Sequence, residues 1–592
     1  MEKTKIEINI HMLLFIFIIC ITALNDIMVY FFSINYELSL LISIALISIL
    51  YFFNKKKIQI TIDFSKLDLI PFFIYLIISF FLIIYLDDFI DTITYHIYNQ
   101  RNPFIDKINF DFLPSSTTFF PLGDRMYYIF TKYFGYRVGV ILSGYILIIL
   151  YYQTKKALTI VLPKLSEKRI ILWSSIVIFS LTANSLIFKY NVDSFSMVIL
   201  FELIYIFIKN VNVFENKNYL YFSVLLSGIA IGIKISNSVL VTVILFAIII
   251  NSLVKIKYKF CKFIKPYDFL FLLIIFVFPY IVYMINNYHQ TGNPVFPFFN
   301  GIFKSIYYKE IAGADLRLGY KNIIEFFLWP IIICFNPVLG DDIIERIDLI
   351  WGLGYIVSIL YLFIGKNKTI RKLSLLNLIL TIVWIKFISG YARYGLAISF
   401  TYYFIVIYVI ETIIDGLKGE TKKEKQINIY KFASVASMLI IIAVTVIDGI
   451  DMLLYRMAHS LYYSMGIEEK SGSISGKYDI DGVWICTKYN TSYIDLIRYK
   501  EDPMYNIDIV LKKDPMWEVE NDFSDYSKKE FYEKLKNKKL YTIISTKYYN
   551  YIVELLNKNG FEMKEKILYM DKKILNKYNY LYIVEISYIG VT

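Results

Sequence analysis

The sequence predicts an α-helical polytopic membrane protein of about 13 transmembrane helices, with a small α/β domain attached outside the membrane at its C-terminal end. Three observations lead there. The 592 residues are 57% hydrophobic, too apolar for a soluble chain. The apolar residues gather into repeated runs, many near the ~20 residues that cross a ~30 Å hydrocarbon layer. Past about residue 455 the runs stop, and short strand-like and amphipathic stretches replace them.

The runs lie at roughly 12–32, 38–53, 69–86, 138–152, 170–187, 194–208, 219–233, 237–254, 268–286, 349–364, 373–389, 396–414 and 432–450. The first is too long for a signal-peptide core and lacks a small-residue cleavage site, so it is expected to be a retained helix. Lys and Arg placement orients the set. With "MEKTK" inside, the inside connections become "NKKK" (54–57), "QTKK" to "SEKR" (153–169), Lys209 to Lys217, "KIKYKFCK" (255–262), "GKNKTIRK" (365–372) and "KGETKKEK" (418–425), all basic. The outside turns 33–37 and 390–395 hold no lysine and one arginine, Arg393. The segment 325–340 is apolar but contains Pro330 and Pro337, and counting it as a span would break this pattern. It is therefore expected to be re-entrant or interfacial, its broken backbone buried in protein or lining a cavity. The N-terminus is then cytoplasmic, the C-terminal domain lies outside a prokaryotic plasma membrane, and the large outer loops span about 87–137 and 287–348.

A membrane module over 1–455 precedes the domain at 456–592. In the latter, "GVWICT" (482–487), "LYTIIS" (540–545), "KEKILYM" and "NYLYIVEISY" are expected as strands. "SYIDLIRYK" (492–500) and "KYYNYIVELLNKNG" (547–560) are expected as helices, the second with Tyr548, Ile552, Leu555 and Leu556 on its apolar face and Gly560 as its stop. The four cysteines are scattered without CxxC spacing, which supports neither a zinc site nor a disulfide framework. The net charge of +12 falls in short loops between apolar runs, a mark of topology and anionic-lipid contact and not of nucleic-acid binding.

The unusual residues gather outside. "YLDDFIDTITYHIYNQRNPF" (85–104) puts Asp87, Asp88, Asp91, Tyr95 and His96 where the third run leaves the membrane. Lys234 lies in the tight outer turn of "SGIAIGIKIS" (227–236), and Arg393 at an outer helix end in "SGYARYGL" (389–396). Clustered ionisable groups at a membrane surface point to function. Each also has a plainer explanation. Asp residues mark helix boundaries, His96 can hydrogen-bond Tyr95 or the loop backbone, and Lys234 can snorkel. Arg393 can anchor to lipid head groups, and the prolines of "GNPVFPFF" can simply fix loop shape.

"DTITYH" (91–96) resembles the Asp-x-x-x-Tyr-His signature that opens the first outer loop of many bacterial and archaeal GT-C membrane glycosyltransferases. "GIAIGIKIS" is similar to their Gly-x-x-x-Gly-x-Lys turn, "TGNPVFPFFNGIF" (291–303) to their Gly-Asn-Pro-x-x-Pro segment, and "ARYGL" (392–396) to their late Arg-Tyr segment. The order covers about residues 12–450; Gly395-Leu396 departs from the Leu-Pro often found there. The resemblance implies a GT-C-like fold and a sugar donor carried on a polyprenyl phosphate. It implies a lipid, glycan or protein acceptor, membrane lipids around the site, and no nucleic acid. A carboxylate would take the proton of the acceptor hydroxyl, with inversion at the anomeric carbon. Asp91 is the first candidate and Asp88 the next. Asp87 or Asp88 would hold the acceptor or a divalent cation, no metal ligand being assigned otherwise. Tyr95 and His96 would contact substrate, and Lys234 and Arg393 the donor phosphate. The alternative is a multi-pass transporter, or a lipid-linked oligosaccharide flippase or polymerase of cell-envelope glycan assembly. A transporter is expected to carry charges within its spans and repeat-related halves, whereas here most charges sit in loops.

Overall fold

The computed structural model describes residues 5–62, 65–84, 96–104, 119–134, 136–139, 141–180, 190–257, 264–305, 319–336, 347–388, 390–418, 425–464, 483–486, 504–506, 535, 538–545, 549–558, 560–570 and 581–589. The helical part comprises α1 (Ile10–Phe32), α2 (Tyr36–Asn54), α3 (Leu69–Ile84), α4 (Ile97–Arg101), α5 (Leu122–Phe134), α6 (Ile141–Val161) and α7 (Glu167–Ile178). It continues with α8 (Asp193–Lys209), α9 (Lys217–Ile233), α10 (Asn237–Lys255), α11 (Pro266–Val277), α12 (Ile281–Thr291) and α13 (Ile323–Phe335). The last are α14 (Ile350–Ile364), α15 (Lys368–Phe387), α16 (Leu396–Lys418) and α17 (Lys425–Ser464). The described residues of each apolar run lie largely on these helices, those of 268–286 on two of them, α11 and α12.

Length and composition separate them. Among the described residues five helices are long and apolar enough to cross a membrane: Ile10–Phe32, Tyr36–Lys57, Asn237–Lys255, Ala392–Asp415 and Ser434–Leu454. A sixth span arises if α11 and α12, bent by 72°, are one broken crossing. The remaining runs sit on helices that are shorter, such as the 15-residue α14, or that carry lysines, such as α6 with Lys155 and Lys156. The chain is a polytopic α-helical membrane protein. α13 has 13 residues with Pro330 inside, about 20 Å at 1.5 Å per residue and well short of a bilayer.

Packing follows from how the apolar residues are distributed around each helix. α8 is apolar nearly all round and is buried nearly all round, between α6, α9, α10 and α16. Phe201 of α8 stacks on Phe404 of α16 at 5.3 Å. α2 instead leaves Leu38, Leu41, Ile49 and Phe52 exposed, the surface expected where a helix faces lipid. The glycines of "GIAIGIK" have a steric cause. A Cβ on Gly228 would meet the Phe276 carbonyl oxygen at 2.1 Å, and one on Gly232 would lie 2.9 Å from Leu122 and 3.3 Å from the Pro279 oxygen. α9 thus packs backbone to backbone against the break between α11 and α12. Gly228→Ala is expected to destabilise the protein by about 1–3 kcal/mol through overpacking, read as a lower unfolding midpoint in detergent.

Every described ion pair joins residues that the Lys/Arg pattern puts on one side. At the end bearing the N-terminus, Lys209 pairs with Glu7, Arg169 with Glu411, Lys155 with Asp68 (2.8 Å) and Glu167 (3.7 Å), and Lys217 with Asp268 (2.7 Å). At the other end Lys132 pairs with Glu37, His96 with Asp124, Arg125 with Asp26, and Lys234 with Asp193. None crosses between ends. The stretch Gln153–Lys156, expected in a loop, is helical within α6. The carboxylate of Asp68 takes the Lys155 ammonium, the Tyr151 hydroxyl (2.6 Å) and the Ser65 N–H (2.6 Å), which lets the helix keep that lysine buried.

Burial would raise the Asp68 carboxyl, but the Lys155 and Tyr151 hydrogen bonds outweigh it and lower its pKa. A depressed folded pKa gives stability that is present above the unfolded value, about 4, and lost as pH falls through the folded one. Asp68→Asn is therefore expected to unfold more easily near neutral pH and to lose less stability on acidification. Midpoints measured at several pH values check both.

Two small β structures complete the chain. β1 (Ile6–Asn9) and β2 (Ile58–Thr61) pair in parallel at the N-terminal end of the bundle, which the sequence did not suggest. The C-terminal sheet has β3 (Val483–Cys486), β4 (Met504–Asn506), β5 (Leu540–Ser545), β6 (Phe561–Met570) and β7 (Leu581–Tyr588) in the order β4-β3-β5-β7-β6. β3 runs parallel to β4 and β5, and β7 pairs antiparallel with β5 and β6. α18 (Tyr549–Lys558) buries Ile552 and Leu556, one turn apart, in the core with Val483, Ile544 and Ile586. Gly560 closes that helix with φ 78°, as its position after the apolar pattern demands. The expected helix at 492–500 lies outside the described residues.

Candidate active site

Of the sequence's site residues, Asp87, Asp88, Asp91 and Tyr95 lie outside the described residues; His96, Lys234 and Arg393 are described. His96 precedes α4 and is buried. Its Nδ1 lies 2.7 Å from Oδ1 of Asp124 in the first turn of α5. Lys234 follows the last residue of α9, and its Nζ donates to Oδ1 of Asp193 at 2.6 Å, where α8 begins. Arg393 sits in a short 3₁₀ turn, Ala392–Gly395, that leads into α16.

These three come together, although the chain separates them widely. The Lys234 ammonium lies 3.8 Å from the centre of the Tyr394 ring, and the Arg393 guanidinium carbon 5.1 Å from the same ring. The two cations are thus no further apart than those distances combined. Asp124 feels the charge of Lys234 as well as that of His96. The backbone explains why: a Cβ on Gly123 would touch Val192 at 2.6 Å and Ile233 at 3.3 Å, the residues directly preceding Asp193 and Lys234. The first turn of α5 is therefore wedged against the ends of α8 and α9.

Charge follows position. Burial pushes the Asp124 carboxyl up, and His96, Asn99 and Lys234 only partly offset it. Burial alone would lower the Lys234 ammonium, but Asp193 and Tyr394 raise it despite the opposing Arg393 charge. Lys234 is held ionised beside a second cation, an arrangement suited to an anion.

Four participants escaped the sequence reading. Asp124 and Arg125 belong to "PLGDRMYY" (121–128), an acidic-basic pair opening an amphipathic helix between two apolar runs. Asp193, in "NVDSFSM" (191–197), stands at the start of an apolar run. Asp26 is a carboxylate inside the first run, itself a usable signal. Arg125 donates from Nε to both Asp26 oxygens (3.0 Å each) and from Nη2 to Oδ1 (2.7 Å), while Tyr283 donates to Oδ2 (2.7 Å). The expectation that most charges sit in loops has exceptions here. Asp26, Glu202 and Glu411 are buried within helices, the last two accepting from Gln153 (2.8 Å) and Trp173 (2.6 Å). Hydrogen-bond partners such as these offset part of the cost of burying a carboxylate.

The Pro-containing loop is pinned by Asn293. Its Oδ1 accepts from the Val295 N–H at 3.0 Å and its Nδ2 donates to the Phe298 carbonyl at 2.9 Å. No group of three His, Cys, Asp or Glu side chains among the described residues is arranged to hold a metal ion. Asp87 and Asp88, the candidates for a divalent cation, lie outside them.

The fold and these two belts of paired charge define a polytopic α-helical membrane protein with a polar site at one end. No family model matches the chain, and no curated protein does. Among solved structures, ArnT from Cupriavidus metallidurans bound to undecaprenyl phosphate is similar with a TM-score of 0.48 at 9% identity, over 88% of this chain and 98% of that one. The same protein in its apo state gives 0.47 at 8% identity, over 87% and 97%. The apo oligosaccharyltransferase of Archaeoglobus fulgidus gives 0.39 at 12% identity, over 80% and 69%.

Proposed function

We propose that this chain is a GT-C-like membrane glycosyltransferase, of about 13 spans with its N-terminus cytoplasmic. It moves a sugar from a polyprenyl-phosphate donor to a lipid, glycan or protein acceptor on the extracytoplasmic face. The observation that supports this reading is the meeting of His96, Lys234 and Arg393, residues of three separate motifs, around Tyr394 and the Asp124 turn. In the reaction, Asp91 takes the proton of the acceptor hydroxyl while its oxygen attacks the anomeric carbon. The bond from that carbon to the phosphate oxygen breaks on the opposite face, so configuration inverts. The departing polyprenyl phosphate gains charge, which Lys234 and Arg393 stabilise. Asp88 is the next candidate for the base, Asp87 or Asp88 holds the acceptor or a divalent cation, and Tyr95 and His96 contact the sugars. The C-terminal sheet domain, on the same outer side, serves to cover the site or bind acceptor.

The test is release of labelled sugar from a panel of polyprenyl-phosphate donors by purified protein in detergent, with and without acceptors. Transfer from at least one donor is expected; a full panel of donors and acceptors left intact by well-folded protein would sink the reading. Lys234→Ala is expected to raise the donor KM about tenfold, the cost of one charge-assisted contact of about 1.4 kcal/mol. Titrating donor against the variant and wild type checks this.

Glu202 and Glu411, buried within helices, are the observation that favours the second reading, a transporter or flippase. Movement of a lipid-linked sugar across vesicles without covalent transfer, lost in Glu202→Gln or Glu411→Gln, would support it.

A further inference from the structure

One motif of the sequence has no part in the reaction proposed above: "TGNPVFPFFNGIF" (291–303), the loop that follows α12. It is built inside out. Asn293 and Asn300 are buried, while Phe299 is 63% and Ile302 73% exposed, and Phe298 and Phe303 are exposed as well. On a surface that meets water, these residue types are ordinarily placed the other way round. Hydrogen bonds fix the inversion. Asn293 holds the Val295 N–H and the Phe298 carbonyl, and Asn300 accepts from the Ser305 N–H at 2.8 Å and donates to the Ser305 carbonyl at 3.0 Å. Phe299 and Lys304 both have left-handed backbone, φ 55° and 52°, which such residues adopt only where their surroundings impose it.

The neighbours of the loop set its level. α1 is long and apolar enough to cross a membrane, and Tyr30 in its last turn meets His289 in the last turn of α12, Oη to Nδ1 at 3.3 Å. The loop therefore begins where α1 ends. Phe31 and Phe32 of α1 and Tyr288 of α12 are exposed there too, so the loop extends an apolar, aromatic rim. Aromatic rings at the end of a span mark the level where bilayer and water meet. Lys304, exposed at the far end of the loop, supplies a cation of the kind that reaches lipid phosphate while its stem lies against apolar groups.

We infer that residues 293–304 form a wedge inserted into the bilayer. Phe298, Phe299, Ile302 and Phe303 sit among the acyl chains of the leaflet at which α1 ends, and Lys304 meets its phosphates. Lipid fits this patch better than a second copy of the chain or the C-terminal domain, because the patch continues the edge of a spanning helix and ends in a cation. The wedge also touches the candidate site. Phe298 stacks at 5.6 Å on Phe119, in the segment that leads into α5 and Asp124. Insertion thus keeps the start of α5 near the membrane surface. That this serves a lipid-carried donor rests on the glycosyl-transfer reading; the insertion itself does not.

The test puts p-benzoylphenylalanine, a photoreactive side chain, in place of Phe299 or of Ile302. The full-length protein is irradiated in vesicles of phosphatidylethanolamine and phosphatidylglycerol. At both positions the chain is expected to gain the mass of one phospholipid, carried on the loop peptide after digestion. An adduct to the C-terminal domain or to a second copy at either position would overturn the inference, as would a loop that forms no adduct. If either substituted protein does not fold, Phe299→Trp and Ile302→Trp decide. Their added fluorescence is expected to be quenched by lipids brominated on the acyl chain and spared by aqueous iodide; the reverse would overturn the inference. Neither readout needs a sugar donor, so failure of transfer and failure of insertion are told apart.

Discussion

Asp91→Asn is expected to reduce sugar transfer about 10²- to 10⁴-fold, the range of a lost general base, while leaving the unfolding midpoint and donor affinity near those of wild type. The amide keeps the carboxylate's shape and one acceptor oxygen, so packing changes little, but it cannot take a proton at neutral pH. The acceptor hydroxyl must then attack with its proton still bound, and the barrier rises by about 3–5 kcal/mol. Asp88→Asn and Asp87→Asn, on the same stretch, separate the base from its neighbours. If Asp91→Asn transfers at the wild-type rate and Asp88→Asn does not, the base is Asp88. If all three are fully active, the proton leaves by another route and the mechanism proposed above fails. Donor binding, measured alongside, distinguishes loss of chemistry from loss of substrate.

The second large effect is on stability. Asp26→Ala or Arg125→Ala is expected to cost about 3–5 kcal/mol, because each strands a buried charge. Asp26 is 0% and Arg125 3% exposed, and the pair is held by three hydrogen bonds from the guanidinium besides the one from Tyr283. Removing both charges is a different matter. The double variant Asp26→Leu/Arg125→Met is expected to be more stable than either single alanine variant, since no lone ion remains in the interior. Its activity is the informative readout. Arg125 also donates to the Gln100 carbonyl in α4, the helix that follows His96, so transfer is expected to stay impaired when stability returns. Full activity in the double variant would show that the clamp serves folding alone. Unfolding midpoints and transfer rates of the three variants decide between these outcomes.

Much of the architecture was legible because it rests on local rules. Hydrophobic runs located the helices, since a backbone in lipid has to satisfy its own hydrogen bonds. Lys and Arg placement sorted loops into two sets, and each described ion pair respects that sorting. The end of α18 was marked by Gly560, whose left-handed backbone disfavours other residues. Periodicity gave less where tertiary contacts prevail. Lys155 reads as a loop residue until Asp68 is seen to receive it, and β1 and β2 pair across a whole helical hairpin.

The site divides in the same way. The sequence by itself determined that His96, Lys234 and Arg393 stand at helix ends on a common side, since charge at the edge of an apolar run reports membrane boundary and sidedness. It could not choose their partners. Asp124, Asp193, Asp26 and Arg125 were ordinary charges in turns or apolar runs until the packing of α5 on α1 and α4, and of α8 on α9, set each opposite its partner. The seating of α9 against α5 and against the break after α11 depends on the missing Cβ of Gly123, Gly228 and Gly232, contacts between segments up to about 110 residues apart. Pattern along a chain records which residues prefer lipid, water or a boundary; which charge meets which is decided only when the helices close together, because burying an ion requires a partner within hydrogen-bond reach.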